Sequence, residues 1–240
     1  MRKCTISAIL ITFLTLIGCA SRISYNSPKA LKEATSSIVK ININYISEDK
    51  VTLATAEKAY SATGFSIAST DVVSFVLTNQ HVCDMGSKAN YTLTLRSGEN
   101  VRATFVRSDA FADLCLLKTN AIIPVLLLSK KNSSQGERVV VIGGPDGVFP
   151  IIVDGIISGY YNMHMKNGPD EDGNFEIHFR AQVMSAPIYP GSSGSPVLNT
   201  DGEVVGIVFA VRTDKEHIAF MVPISELLRF LDVQEYVDVN

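Results

Sequence analysis

From residue 37 onward, short apolar or alternating runs are separated by turn residues, and this pattern predicts a chain made almost entirely of strands. Turn signals include Ser97-Gly98, Gly143-Gly144-Pro145 and Asp201-Gly202. The predicted strands are residues 38–46, 62–68, 72–78, 91–95, 101–106, 114–118, 138–142, 155–161, 175–182, 196–198, 204–211 and 219–222. A dozen short strands with almost no helical periodicity indicate an all-β fold of barrels or a sandwich.

A polar segment at about residues 129–137 divides these strands into two sets of about six. We therefore predict an N-terminal barrel at about 36–128 and a C-terminal barrel at about 138–222, with the linker and a cleft between them. The exception to the strand pattern is a predicted C-terminal helix at about 223–236, with Ser225 as its cap. Its apolar positions at helical spacing are Ile224, Leu227, Leu228 and Leu231.

The first residues have the pattern of a targeting segment rather than of a folded domain. Arg2 and Lys3 precede an uncharged apolar run at 6–17, which is shorter than the roughly 20 residues that a membrane-spanning helix needs. The run ends in Leu16-Ile17-Gly18-Cys19, which resembles the lipobox of bacterial lipoproteins. The alternative is an ordinary cleaved signal in which Cys19 has no role.

The lipobox resemblance implies a signal peptide at 1–18 and a lipidated Cys19 at the start of the mature chain. Residues 19–35 are then a polar tether to the folded domain, and acyl chains hold the protein on the membrane. We expect a lipid-anchored protein of the cell envelope that faces the periplasm. Ala20 after the cysteine, instead of a retention-type Asp, favours the outer membrane by analogy.

Composition excludes several classes of partner. Hydrophobic residues make up 46% of the chain and charged residues 19%, which suits a globular protein. The formal net charge is −3 and no cationic block follows the N-terminus, so we expect no nucleic-acid partner. Cys and His residues are not spaced as metal ligands, and we expect neither a metal nor a cofactor.

Three local strings carry candidate chemistry, in the order His, Asp, Ser. Acyl transfer by a serine needs a base, a group that fixes the tautomer of the base, and hydrogen-bond donors for the oxyanion. Glycines beside the serine permit a tight turn whose N–H groups point the same way. The strings are Leu77-Thr78-Asn79-Gln80-His81-Val82, Ala112-Asp113-Leu114-Cys115-Leu116-Leu117-Lys118 and Pro190-Gly191-Ser192-Ser193-Gly194-Ser195-Pro196.

Together with Thr63-Gly64-Phe65 and the glycine-rich string at 202–207, these motifs resemble the chymotrypsin-like serine proteases, especially the bacterial HtrA/Deg branch. The resemblance covers about residues 36–232. It implies two perpendicular antiparallel β-barrels with the active site in the cleft. Members of this branch usually carry a PDZ domain after the protease domain, and we expect a protease domain alone here.

The resemblance also assigns roles. His81 is implied as the general base, Asp113 as its orienter and Ser193 as the nucleophile, with the N–H groups of Gly191 and Ser193 as the oxyanion hole. Trypsin has an Asp directly before its nucleophile, which pairs with a new N-terminus on activation. Since Ser192 stands there, that ion pair is not available.

Other residues of the same types fit these roles less well. Ser192 and Ser195 fall on other positions of the motif, and Asp109 precedes the strand instead of opening it. The remaining histidines lack the strand-end context; they are His164, His178 and His217.

The specificity pocket is expected at Pro187, six residues before the nucleophile, with its wall at Phe209, Ala210 and Val211. No carboxylate is present there to pair with Lys or Arg, and no His to pair with Glu. We therefore expect cleavage after small or medium apolar residues.

Two cysteines lie beside the implied base and orienter. Cys83 is two residues after His81, and Cys115 is two residues after Asp113. Since His81 and Asp113 must touch, and Cys115 lies on the same strand face as Asp113, we predict a Cys83–Cys115 disulfide. The alternative is a pair of buried free thiols.

These observations favour a serine endopeptidase that acts on protein or peptide substrates of the cell envelope. The second hypothesis, from a different class, is a lipid-anchored binding or scaffold protein that has the fold but little or no turnover.

Overall fold

The computed structural model describes residues 28–48, 55–84, 89–167, 175–211 and 218–231. The predicted signal peptide, Cys19 and residues 232–236 of the predicted C-terminal helix lie outside these ranges. Within them, no helix is long and apolar enough to cross a membrane.

Six antiparallel strands close into an N-terminal barrel in the order β1-β2-β3-β6-β5-β4. The barrel closes because β1 pairs with β2 along one edge and with β4 along the other. Alternation in β1 explains its orientation, since Ile41 and Ile43 are fully buried while Asn42 between them is not. The strands are β1 (Ile38–Glu48), β2 (Thr55–Ser69), β3 (Ser74–Thr78), β4 (Asn90–Thr94), β5 (Asn100–Asp109) and β6 (Leu114–Thr119).

The C-terminal barrel repeats this strand order with its own six strands, β7-β8-β9-β12-β11-β10. It closes where β10 pairs with both β11 and β7. The strands are β7 (Arg138–Gly143), β8 (Ile151–Asn167), β9 (Phe175–Met184), β10 (Pro196–Leu198), β11 (Val204–Val211) and β12 (Ala219–Pro223). The prediction of two antiparallel β-barrels is confirmed, and each of the twelve predicted strands overlaps an observed one.

Each barrel has its own apolar core, and a further buried cluster joins the two. This joining cluster contains Phe65 and Leu77 from the N-terminal barrel, Ile142 and Ile207 from the C-terminal barrel, and Leu227 from the last helix. The barrels therefore pack directly against one another, and the loops at their junction are held from both sides.

The final helix, α3 (Ile224–Phe230), is shorter within the described residues than the sequence predicts. Its N-cap is Pro223 and not Ser225, whose position lies inside the first turn. The side chain of Asn132 in the linker supplies the missing acceptor, because its Oδ1 accepts the Ser225 N–H at 3.1 Å. The C-terminal helix itself is confirmed, but its cap comes from another segment of the chain.

α3 also contacts the N-terminal barrel. The Arg107 guanidinium in β5 donates to the Phe230 carbonyl at 2.5 Å and lies 4.7 Å from the centre of the Phe230 ring. Arg229 lies 3.6 Å from Asp109 at the end of β5.

The segment predicted as a polar tether differs in its second half. Residues Pro28–Ala34 form a short helix, α1, and Thr35–Ser37 form a 3-10 turn that leads into β1. Ala34 is 2% exposed and belongs to the joining cluster, with Leu31 packed against it. The composition of this segment did not indicate a helix, because it is rich in polar residues. The polar residues of the helix face away from the few apolar contacts that hold it in place.

Candidate active site

His81 lies where β3 ends. Asn79 is extended, with φ −82° and ψ 155°, and the chain then forms a single helical turn, α2 (Gln80–Cys83), that carries His81. The His81 side chain is 29% exposed, so part of the ring reaches solvent while its Nδ1 atom contacts Asp113.

Asp113 follows the turn between β5 and β6 and has a left-handed backbone, with φ 52°. The turn is shaped by Asp109, whose Oδ1 accepts the N–H groups of Phe111 at 2.8 Å and Ala112 at 3.2 Å. Asn79 Nδ2 donates to the Asp113 carbonyl at 3.0 Å. A non-glycine residue with positive φ is uncommon, and these contacts hold Asp113 in that conformation. Sequence reasoning gave Asp109 no such role.

His81 and Asp113 are brought together as the resemblance implies. His81 Nδ1 lies 2.8 Å from Asp113 Oδ2 and 3.1 Å from Oδ1, and the His81 backbone N–H donates to Oδ1 at 2.9 Å. The carboxylate is 1% exposed. A neutral ring that donates from Nδ1 leaves the lone pair of Nε2 free to accept a proton.

Two opposing effects set the pKa of His81. Burial of the ring lowers it, but the charge of Asp113 and its hydrogen bond to the ring raise it by more, so the pKa of His81 lies above the ordinary value of 6.5. Asp113 therefore stabilises the imidazolium that would form when His81 takes up a proton.

Ser193 lies on the loop before β10, which we call the serine loop (residues 190–195). Two of its residues need positive φ, with Gly191 at 92° and Gly194 at 86°. A Cβ on Gly191 would lie 2.5 Å from the Gly144 carbonyl oxygen, and one on Gly194 would overlap the Thr63 carbonyl. Only glycine fits both positions, which explains the Gly-Ser-Ser-Gly string.

The serine loop leaves two N–H groups available. Ser192, Gly194 and Ser195 donate their N–H groups to the carbonyls of Tyr189, Val208 and Ser192. Among the described residues, neither the Gly191 N–H nor the Ser193 N–H donates to a protein acceptor. These are the two groups that the resemblance assigns to the oxyanion hole.

The serine loop contacts the N-terminal barrel close to His81. Thr63 N–H donates to the Ser193 carbonyl at 2.8 Å, and a Cβ on Gly194 would also meet Thr78, three residues before His81. No hydrogen bond joins Ser193 Oγ to His81 among the described residues. The structure therefore joins His81 to Asp113 directly and holds Ser193 on a neighbouring loop.

The predicted pocket residues have different environments. Pro187 is half-buried, whereas Phe209 is 6% exposed and lies in a buried aromatic group, with its ring centre 5.3 Å from that of Phe179 and 6.3 Å from that of Phe220. Ala210 is half-buried beyond a bulge in β11, and Val211 ends that strand. The Phe209 ring is thus engaged in the joining cluster, which the sequence did not indicate.

The Cys83–Cys115 disulfide is confirmed, and the alternative of two free thiols is excluded. The bond joins α2 to β6 across 32 residues, so it connects the segments that carry His81 and Asp113. Cys115 is fully buried and Cys83 is 8% exposed.

The competing candidates lie elsewhere or are buried. Ser192 is 3% exposed. Ser195 is fully buried, and its Oγ has no hydrogen-bond partner in the described part of the chain. His164 and His178 are backbone partners in the register of β8 and β9, and His217 lies outside the described residues. In the part of the chain that the structure describes, no three His, Cys, Asp or Glu residues come together as a metal site.

Comparison with known proteins shows the family of the chain. The family model described as a trypsin-like peptidase domain matches residues 62–207. Relatives named "Serine protease HtrA-like" in strains of Staphylococcus aureus are 27% identical over 165 residues. That match covers 65% of this chain but 21% of the relatives, so the chain spans about a fifth of their length.

Solved structures show the same fold. A variant of the HtrA-type protease AlgW with a decapeptide superposes with a TM-score of 0.71 at 20% identity, over 85% of this chain and 65% of that one. The active form of the Rv3671c protease from M. tuberculosis gives a TM-score of 0.69 at 24% identity, over 88% and 86% of the two chains. These structures establish the two-barrel fold.

Proposed function

The chain belongs to the trypsin-like peptidase family, and on that premise we propose that it is a serine endopeptidase with Ser193 as nucleophile, His81 as general base and Asp113 as orienter. The observation that carries the proposal is the contact of the His81 ring with a carboxylate that is 1% exposed. A buried carboxylate beside a partly exposed imidazole is the arrangement that an activated serine requires.

The proposed reaction has two stages. His81 Nε2 takes the proton of Ser193 as Ser193 Oγ attacks the scissile carbonyl, and Asp113 stabilises the resulting imidazolium. His81 then gives that proton to the leaving amine, which leaves an acyl group on Ser193 Oγ. A water molecule, deprotonated by His81, attacks the acyl group and releases the second product.

The oxyanion of each tetrahedral intermediate accepts hydrogen bonds from the N–H groups of Gly191 and Ser193. Their lack of a protein acceptor among the described residues supports this role, since the N–H groups of Ser192, Gly194 and Ser195 all have one. Loss of one such donor reduces kcat by about 10²–10³-fold in serine proteases.

We propose protein or peptide substrates with a small or medium apolar residue on the acyl side of the cleaved bond. The pocket positions Pro187, Phe209, Ala210 and Val211 offer no charged group. Digestion of an unbiased peptide library, read by mass spectrometry, is the test. Cuts after Ala, Val, Leu or Met support the assignment, and a majority after Lys, Arg or Glu contradicts it.

We also propose that the protein acts in the cell envelope, held by a lipid on Cys19. The lipobox-like string at 16–19 supports this. Expression of the full chain with a labelled fatty acid tests it, because lipidated protein carries the label and enters the detergent phase. A Cys19→Ser variant that still carries the label would contradict the proposal.

One observation favours the second candidate, a binding or scaffold protein on the protease fold. Ser193 Oγ and His81 form no hydrogen bond among the described residues, although catalytic hydrogen bonds in unliganded proteases often tighten only with substrate. The two candidates differ in turnover of an unfolded protein such as reduced casein. The endopeptidase degrades it and loses this activity in Ser193→Ala, whereas the binding protein retains casein without cleaving it.

A further inference from the structure

Thr63 in β2 is fully buried and makes hydrogen bonds to three separate segments. Its backbone N–H donates to the Ser193 carbonyl at 2.8 Å, and its Oγ1 donates to the Gly191 carbonyl at 2.9 Å. The same Oγ1 accepts the Gly144 N–H at 3.0 Å, and the Thr63 carbonyl accepts the Thr78 hydroxyl at 2.8 Å. One residue of the N-terminal barrel thus contacts both the serine loop and the turn that follows β7.

The turn after β7 holds the other side of the serine loop. Asp146, two residues after Gly144, donates its N–H to the Pro190 carbonyl at 2.7 Å. That carbonyl belongs to the same planar peptide unit as the Gly191 N–H, and the two groups point in opposite directions. The Asp146 contact therefore fixes the direction of the Gly191 N–H.

The next peptide unit is fixed in the same way. Thr63 Oγ1 binds the Gly191 carbonyl, and the Ser192 N–H at the other end of that unit donates to Tyr189 at 3.1 Å. With both adjoining peptide planes held, Gly191 keeps its φ of 92°. Glycine has no side chain to oppose rotation, so these contacts take the place of steric restraint.

We propose that the Thr63 hydroxyl is a positioning group for the oxyanion hole, because it holds the Gly191 carbonyl and the Gly144 N–H in one hydrogen-bond network. This inference rests on the proposed endopeptidase function. Ser192 is buried and uncharged, so no ion pair at this residue restrains the serine loop. Thr63 restrains the loop from the opposite barrel instead.

The test removes the hydroxyl and keeps the shape of the side chain. Thr63→Val retains the N–H bond to Ser193, and we expect kcat to fall by about 10- to 100-fold, less than for the loss of a donor itself. Because the Thr63 side chain is fully buried and cannot touch substrate, we expect KM to change by less than about threefold. Thr63→Ser keeps the hydroxyl and returns kcat to within about threefold of the unaltered protein.

Thr119 provides a matched control. Its Oγ1 is also buried, donates to a carbonyl, that of Arg102, at 2.8 Å, and accepts a backbone N–H, that of Ala121, at 3.3 Å. Thr119→Val therefore loses equivalent hydrogen bonds away from the serine loop. We expect Thr119→Val to lower the thermal midpoint about as much as Thr63→Val and to leave kcat within about threefold.

A peptidyl trifluoromethyl ketone, which forms a tetrahedral adduct with an oxyanion, gives a second measurement. We expect its inhibition constant to rise in Thr63→Val by the same factor as kcat/KM falls. The inference is overturned if Thr63→Val and Thr119→Val lose kcat equally, or if kcat is unchanged in Thr63→Val. It is also overturned if kcat does not recover in Thr63→Ser or if Thr63→Val fails to fold. Absence of turnover in the unaltered protein would instead overturn the proposed function.

Discussion

The two halves of the candidate site are held together by different means. The His–Asp half-site, His81 and Asp113, lies within one barrel, with a buried carboxylate contact and the Cys83–Cys115 disulfide beside it. The serine half-site, residues 190–195, is held by backbone hydrogen bonds and two left-handed glycines, and several of its contacts come from other segments. One half is fixed by a disulfide and by hydrogen bonds to a buried carboxylate, and the other by a hydrogen-bond network across the barrel junction.

This difference predicts different consequences of substitution. Changes in the His–Asp half-site alter the chemistry of the base while the local backbone stays in place. Changes in the serine half-site alter the direction of N–H groups, because little else restrains glycine residues.

Asp113→Asn gives the largest loss. An amide has no negative charge to stabilise the imidazolium, and it favours the wrong tautomer of His81, so we expect kcat to fall by about 10⁴-fold. The measurement is steady-state cleavage of an apolar peptide substrate, with the far-ultraviolet circular dichroism of the variant as a check on folding. A loss of less than about tenfold in a folded variant would exclude Asp113 as orienter.

Gly191→Ala tests the serine half-site. Its Cβ would lie 2.5 Å from the Gly144 carbonyl at a φ of 92°, so the donor peptide must move, and we expect kcat to fall by about 10²–10³-fold. Gly98→Ala is the control, since Gly98 has a φ of 88° but no atom within 4 Å of the added Cβ. Gly98→Ala imposes similar backbone strain away from the site. Full activity in Gly191→Ala would contradict the assignment of Gly191 to the oxyanion hole.

Removal of the disulfide should lower the free energy of unfolding while changing kcat much less. Cys83→Ala combined with Cys115→Ala should lower the free energy of unfolding by about 3–4 kcal/mol, because the bond closes a long loop in the unfolded chain. Since the His81–Asp113 contacts remain, we expect kcat to change by less than about tenfold. Denaturant titration and peptide kinetics on the same sample measure both. A loss of kcat comparable to that of Asp113→Asn would show that the covalent bond itself positions the base.

The smallest expected effect is a shift in the pH dependence of kcat/KM. Only the neutral ring of His81 can take a proton, so kcat/KM rises as the pH rises through the pKa of His81. Because Asp113 keeps that pKa above 6.5, the midpoint of the profile should lie above 6.5. The experiment is kcat/KM against pH at constant ionic strength. A midpoint at or below 6.5 contradicts the electrostatic account of the His–Asp pair.

Sequence reasoning reached the barrels from local signals, whereas it reached the His81–Asp113 contact and the disulfide through the resemblance to a known family. Strands follow from alternation and turn residues, and Cys83 and Cys115 lie two residues from residues that must meet. Gly191 and Gly194 mark the serine loop by a local signal, since only glycine tolerates those backbone angles.

The remaining features depend on distant contacts. In the sequence, nothing distinguishes the Thr63 side chain from that of an ordinary strand residue. Its hydrogen bond to Gly191 spans 128 positions of the chain. Asn132 caps a helix 93 positions away, and the Phe209 ring packs against Phe179 from another strand. Local sequence patterns do not indicate such pairings, because the partners are far apart in the sequence.

Covalent labelling of the folded protein with a fluorophosphonate, mapped by peptide mass spectrometry, tests directly whether Ser193 is the nucleophile. An activated serine reacts and an ordinary one does not. We predict labelling at Ser193 alone, loss of the label in Ser193→Ala, and full labelling in Ser195→Ala, whose side chain is buried. Failure of the unaltered protein to label between pH 7 and 9, or labelling that persists in Ser193→Ala, would contradict the assignment of Ser193 as the nucleophile.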